Sequence, residues 1–80
     1  MELTLEFMQA VFMESLELSP DLAESLTLES RFEEVEGWDS MGHMRIIMEM
    51  ENQLDVEFDI DEVIGVDTIE KLIKMAENKT

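Results

Sequence analysis

The sequence holds no cysteine, one proline, one tryptophan, one histidine and three glycines in eighty residues, with only five basic residues against twenty-one acids. Without cysteine there is neither a disulfide framework nor a thiolate metal site, which makes a reducing cytoplasm the expected compartment. Any reactive thiol has to be brought in from outside the polypeptide. The single histidine, His43, cannot make a transition-metal site alone, because the other nitrogen and sulfur ligands such a site needs are absent. The shortage of bases leaves a formal net charge of -16, which repels nucleic acid and anionic membrane. No apolar run approaches membrane-spanning length, and Met1-Glu2-Leu3-Thr4 lacks the basic start and apolar stretch of a secretory signal. A soluble, intracellular, monomeric protein is expected. The length fits one domain, residues 1–80, small for an enclosed substrate pocket yet sufficient for a core that folds without metal or disulfide.

What is present is acid and helical periodicity. Hydrophobic residues make up 45% of the chain, and their clear helical spacing argues against disorder. The acidic balance instead points to partners with Lys/Arg patches. The spacing predicts a first helix from Thr4 to Leu18, burying Met8, Val11, Phe12 and Leu16 and ended by Ser19-Pro20. Ser19-Pro20-Asp21 is itself able to cap a short helical turn, with proline at the first helical position. A long connection follows to Gly37, pinned to the core by Phe32 and Val35. A second helix is predicted from Ser40 to Leu54. The segment Val56-Glu57-Phe58-Asp59-Ile60 alternates like a strand but has no pairing partner, so it reads as an extended connection. A short turn over Asp61 to Ile64 then leads to Gly65. Asp67-Thr68-Ile69-Glu70 resembles a capping box opening a last helix, with Ile69, Leu72, Ile73 and Ala76 on its buried face. The expected fold class is all-α, a small four-helix bundle with three longer helices, one short one and a long first loop.

The second helix carries two apolar stripes on a wheel of about 100° per residue. Ile46, Ile47, Met50 and Leu54 form one, while Met41, Met44 and Met48 lie roughly opposite, on the side within reach of Ser40. Both cannot face one core. Either the methionines are available to partners, where their flexible side chains suit surfaces of different shape, or they pack under the long loop.

The densest chemical signal is Gly37-Trp38-Asp39-Ser40-Met41 at the start of that helix. Serine is common at helix starts, so Ser40 taken alone reads equally as a cap. A serine hydrolase is hard to sustain: His43 follows Ser40 by three residues on the same helix, and a chain this short offers no buried cleft. His43 is therefore expected at the surface or at a partner contact. A calcium loop fails too. With Asp55 as first ligand, Ile60 stands where glycine is required and Val66 where the bidentate glutamate belongs.

With Phe32 in the loop, Gly37 three residues before the serine, Asp39-Ser40-Met41, the apolar stripe from Ile46 to Leu54 and Thr68-Ile69 opening the last helix, the chain resembles the acyl carrier proteins along nearly its whole length. That resemblance implies a free-standing carrier without catalytic activity. A phosphopantetheinyl transferase, using coenzyme A and magnesium ion, would attach 4'-phosphopantetheine to Ser40. The arm's thiol would hold an acyl, hydroxyacyl or aminoacyl group as a thioester. Partners implied are the transferase, an acyl- or aminoacyl-loading ligase, and downstream transferases or synthases with basic docking patches. Asp39 either helps position the arm or the transferase, or is an ordinary helix cap. Trp38 either packs on the loop or contacts a partner, and Met41, Met44, Arg45 and Met48 face partner enzymes. Many family members have Asp-Leu-Gly-x-Asp-Ser-Leu where this chain has Val35 to Met41, and many carry an acid where Arg45 stands. The Leu18–Phe32 connection is also longer than in fatty-acid carriers. These departures point to a specialised pathway rather than housekeeping fatty-acid synthesis. Two competing readings are a helical adaptor that binds partners through Met41, Met44 and Met48 without any prosthetic group, and a relic that keeps the fold but is never modified.

Overall fold

A computed structural model describes residues 3–79; Met1, Glu2 and Thr80, the ends of the expected domain, lie outside the described residues. The described residues form five helices: α1 (Leu5–Leu16), α2 (Pro20–Glu24), α3 (Ser40–Leu54), α4 (Ile60–Ile64) and α5 (Ile69–Lys79). The fold is all-α, as expected, with three longer helices, and two of five residues each. None is long and apolar enough to cross a membrane.

Each start has a local chemical cause. The Thr4 hydroxyl accepts from the Phe7 N–H at 3.1 Å and opens α1. Ser19 accepts from the Leu22 N–H at 3.3 Å, with Pro20 at the first position of α2, so the turn expected there is a full short helix. At α4, the Asp59 N–H donates to the Glu62 carboxylate at 2.8 Å. That bond, and secondarily Lys79, holds the Glu62 carboxyl below its ordinary range.

α4 starts at Ile60, one residue before the expected Asp61, and two other boundaries differ from expectation. α1 stops at Leu16 rather than Leu18, because Glu17 turns left-handed at φ 56° and the Leu18 N–H folds back onto the Met13 carbonyl at 3.2 Å. Such a reversal is usually marked by glycine, and here glutamate adopts it. At α5 the cap is Thr68, whose hydroxyl accepts from the Lys71 N–H at 3.2 Å. Asp67 instead pairs with the Lys71 ammonium at 2.9 Å. The capping box read over Asp67 to Glu70 does not form, since the Glu70 N–H is tied to the Leu28 carbonyl at 3.0 Å.

That last bond is one of three that fasten the long loop to the start of α5. Phe32 N–H donates to the Asp67 carbonyl at 2.8 Å and Ile69 N–H to the Ser30 carbonyl at 3.2 Å. A core of Met8, Val11 and Phe12 from α1, Ile46, Ile47 and Met50 from α3, and Ile69, Leu72 and Ala76 from α5 lies between the helices. Phe32 and Val35 lie half-buried against it, as the loop reading expected. The core therefore grips the loop on one side and α3 on the other, which places the junction between them, Gly37 to Ser40.

Candidate functional site

The α3 start is built from the Asp39 carboxylate, which accepts from the Gly42 N–H at 2.8 Å. Asp39 is the cap, so Ser40 is not. Ser40 occupies the first helical position, exposed, and its hydroxyl makes no hydrogen bond among the described residues. The N–H groups of Ser40 and Met41 have no acceptor in the helix ladder. They leave the positive end of a fifteen-residue helix beside a free hydroxyl. A phosphate ester on Ser40 would fit here: the oxygen is accessible, the dipole favours negative charge, and nothing has to be displaced.

Asp39→Ala is expected to remove about 1 kcal/mol of stability, lowering the melting temperature by about 4–8 °C. Asp39→Asn keeps a capping oxygen and should melt close to wild type. If Asn also slows modification of Ser40, the Asp39 charge serves the reaction as well as the helix.

The segment before the serine is locked by two glycines. Gly37 sits at φ +87°, and a Cβ on Gly42 would lie 2.0 Å from the Gly37 carbonyl oxygen. α3 and the loop thus touch backbone to backbone where the site begins. A glycine inside a helix costs about 1 kcal/mol relative to alanine, so Gly42 was a visible signal whose meaning only the packing supplies.

Two expectations need correction here. Trp38 is not a partner contact: it is 2% exposed, with its ring edge-on to Phe12 at 4.8 Å and tilted against Phe32 at 5.8 Å. Of the two roles open to it, packing is the one the structure shows. His43 is not at the surface either, being buried, with its ring against Trp38 and Phe32. Trp38 Nε1–H donates to His43 Nδ1 at 2.9 Å, and His43 Nε2 meets the Val63 carbonyl at 3.0 Å. Both imidazole nitrogens are engaged, so His43 cannot act as a base toward Ser40.

The two stripes of α3 separate cleanly. Ile46, Ile47 and Met50 are buried, whereas Met41, Met44 and Met48 are 71%, 47% and 63% exposed. The methionines do not pack under the loop. Arg45 lies exposed among them and makes no ion pair among the described residues; the carboxylate one turn on, Glu49, is taken by the Gln53 amide at 2.7 Å. α4 adds two side chains that sequence reasoning missed, Ile60 and Ile64, at 69% and 73% exposure. Their spacing of four was legible, but Ile60 was assigned to the extended connection.

Residues 6–76 match the protein family described as the phosphopantetheine attachment site. The chain belongs to that family, whose domain is the site of covalent 4'-phosphopantetheine attachment. Carrier domains of this kind are generally non-catalytic and interact with modifying and acyl-transferring enzymes. A comparison with curated proteins returns no match.

Proposed function

We propose that this chain is a single-domain carrier protein whose Ser40 hydroxyl bears the phosphopantetheine arm. The observation that carries this reading is the Ser40 side chain: exposed, free of hydrogen bonds among the described residues and set at the amino terminus of α3 by a different capping residue. When attached, the group supplies a flexible thiol, which this cysteine-free chain lacks, able to hold an acyl, hydroxyacyl or aminoacyl group as a thioester. The protein's own part is to fix the oxygen that takes the arm, to place a helix dipole behind the phosphate and to present a surface to enzymes.

That surface is α3. Met41, Met44 and Met48 offer adaptable apolar contact, and the net charge of -16 steers basic docking patches toward it, at a rate that falls with salt. The partners are a phosphopantetheinyl transferase, a loading ligase and downstream acyl-transferring enzymes, in the cytoplasm. Arg45 is a single reversed charge in this face, and it supports a specialised pathway because many acyl carrier proteins carry an acid there. Arg45→Glu is expected to change kcat/KM by about threefold or more with a partner that reads the position. Unchanged kinetics with every cognate enzyme would remove Arg45 from the recognition site.

The attachment itself is tested by intact mass after incubation with coenzyme A, magnesium ion and a broad-specificity phosphopantetheinyl transferase. A gain of one phosphopantetheine group, mapped by fragmentation to Ser40, is expected. No gain by the folded protein, with a known carrier modified in parallel, would favour the unmodified adaptor.

A further inference from the structure

His43 is the buried titratable side chain that the attachment chemistry leaves unused. Its tautomer follows from its neighbours. The indole N–H of Trp38 can only donate, so Nδ1, 2.9 Å away, is the bare lone pair. The ring hydrogen therefore sits on Nε2 and is donated to the Val63 carbonyl at 3.0 Å. One imidazole thus joins the segment two residues before Ser40 to α4, twenty residues further along the chain from His43.

α4 itself has few anchors, although just before it the Phe58 N–H donates to the Glu51 carboxylate of α3 at 2.8 Å, and Phe58 and Val66 on either side lie half-buried against the core. At five residues α4 is too short to persist alone. Its one buried side chain is Val63. Lys79 reaches Glu62 at 3.2 Å and Asp59 at 3.9 Å, but ion pairs this open to water contribute little. Nevertheless α4 presents Ile60 and Ile64 almost bare, and its Val63 carbonyl lies against a side chain in the first turn of α3.

We propose that His43 is a positioning residue that registers α4, with Ile60 and Ile64, against the Trp38–Ser40 segment, so that modifying enzymes meet one preassembled apolar surface beside the serine. The proposal rests on the reading of Ser40 as the attachment point. A surface ordered before encounter spares the enzyme the cost of ordering it on binding. Loss of the bridge should therefore weaken docking, while Ser40, fixed on α3 by the Asp39 cap and the Gly37/Gly42 contact, still reacts once bound.

The test compares His43→Leu with His43→Gln. Leucine fills the space and forms neither bond. Glutamine carries a carbonyl oxygen that accepts from Trp38 and an amide that donates to Val63, as the neutral imidazole does. Thermal melts establish that each variant is folded; if His43→Leu is not, Trp38→Phe, which keeps an aromatic ring and loses the indole donor, takes its place. Steady-state transfer from coenzyme A by a broad-specificity phosphopantetheinyl transferase should show KM raised about tenfold in His43→Leu, with kcat within about twofold. Backbone amide exchange over residues 60–66 should quicken by about tenfold in the same variant. His43→Gln should stay within about threefold of wild type in both measurements. Leucine and glutamine variants that behave alike in exchange and in KM would overturn the proposal, leaving His43 as core filling. If wild type itself accepts no phosphopantetheine, the Ser40 reading fails, and the exchange comparison still decides whether His43 holds α4.

Discussion

Ser40→Ala is expected to abolish phosphopantetheine attachment completely while leaving the fold as stable as wild type. The two halves of this result come from the same geometry. The Ser40 hydroxyl is the only group the substitution removes, and it makes no hydrogen bond among the described residues, so no polar partner there is lost with it. Serine-to-alanine at a helix end usually costs about 1 kcal/mol when the serine is the cap; here Asp39 accepts from the Gly42 N–H in that role. Alanine is also the better helix former, by a few tenths of a kcal/mol. The variant should therefore melt within about 2 °C of wild type and show no mass gain under conditions that fully convert wild type. Residual gain on Ser40→Ala would move the attachment to another hydroxyl. A melt lowered by about 4 °C or more would show that the hydroxyl has a structural partner in solution. The adaptor reading separates from the carrier reading on the same variant, because an adaptor's partner binding and pathway output survive Ser40→Ala and a carrier's output does not.

Gly42→Ala is expected to destabilise the protein by about 2 kcal/mol, against the sign that helix propensity alone predicts. On an exposed helix the change would add about 1 kcal/mol of stability. At this position the new methyl would lie 2.0 Å from the Gly37 carbonyl oxygen and 2.9 Å from Leu16 Cδ2. The leucine methyl can rotate aside, but the carbonyl belongs to a backbone held at φ +87° between Trp38, locked in the core, and the half-buried Val35. Overpacking of this sort costs about 1–3 kcal/mol, and a backbone contact this close belongs at the upper end; with the propensity gain of about 1 kcal/mol subtracted, the remainder lowers the melting temperature of a domain of this size by about 8 °C or more. Because the displaced segment leads directly into Ser40, the transferase should also act more slowly on the folded fraction. A melting temperature equal to wild type or above would show that Gly37 yields freely and that this contact does not set the serine's position.

The parts of the site that were legible in the sequence are those governed by neighbours along the chain. The bounds of α3 match the structure because Asp39 at its start and the apolar spacing within it act over a few residues. The same local logic separated Ile46, Ile47 and Met50 from Met41, Met44 and Met48, since a helix cannot turn both stripes to one core. It failed at Glu17, where a left-handed turn ends α1 without glycine to announce it, and at Thr68, where the cap fell one residue later than the Asp67 reading. In both cases the competing choices differ by about 1 kcal/mol or less, and tertiary contacts such as Glu70 N–H on the Leu28 carbonyl decide between them.

By itself, then, the sequence determined an all-α, acidic, thiol-free chain with a capped serine-bearing helix and a methionine face, because composition, period and capping are properties of a few consecutive residues. Only the tertiary structure decided that Trp38, for which packing and partner contact were both open, and His43, which read as a surface or partner-contact residue, turn inward, and that the His43 ring meets the Val63 carbonyl of α4. The indole donor and the imidazole are five residues apart, and the Val63 carbonyl lies twenty residues beyond the imidazole. No local pattern encodes that meeting; it follows from the packing of Trp38 against Phe12 and of His43 against Phe32, where buried donors and acceptors must find one another.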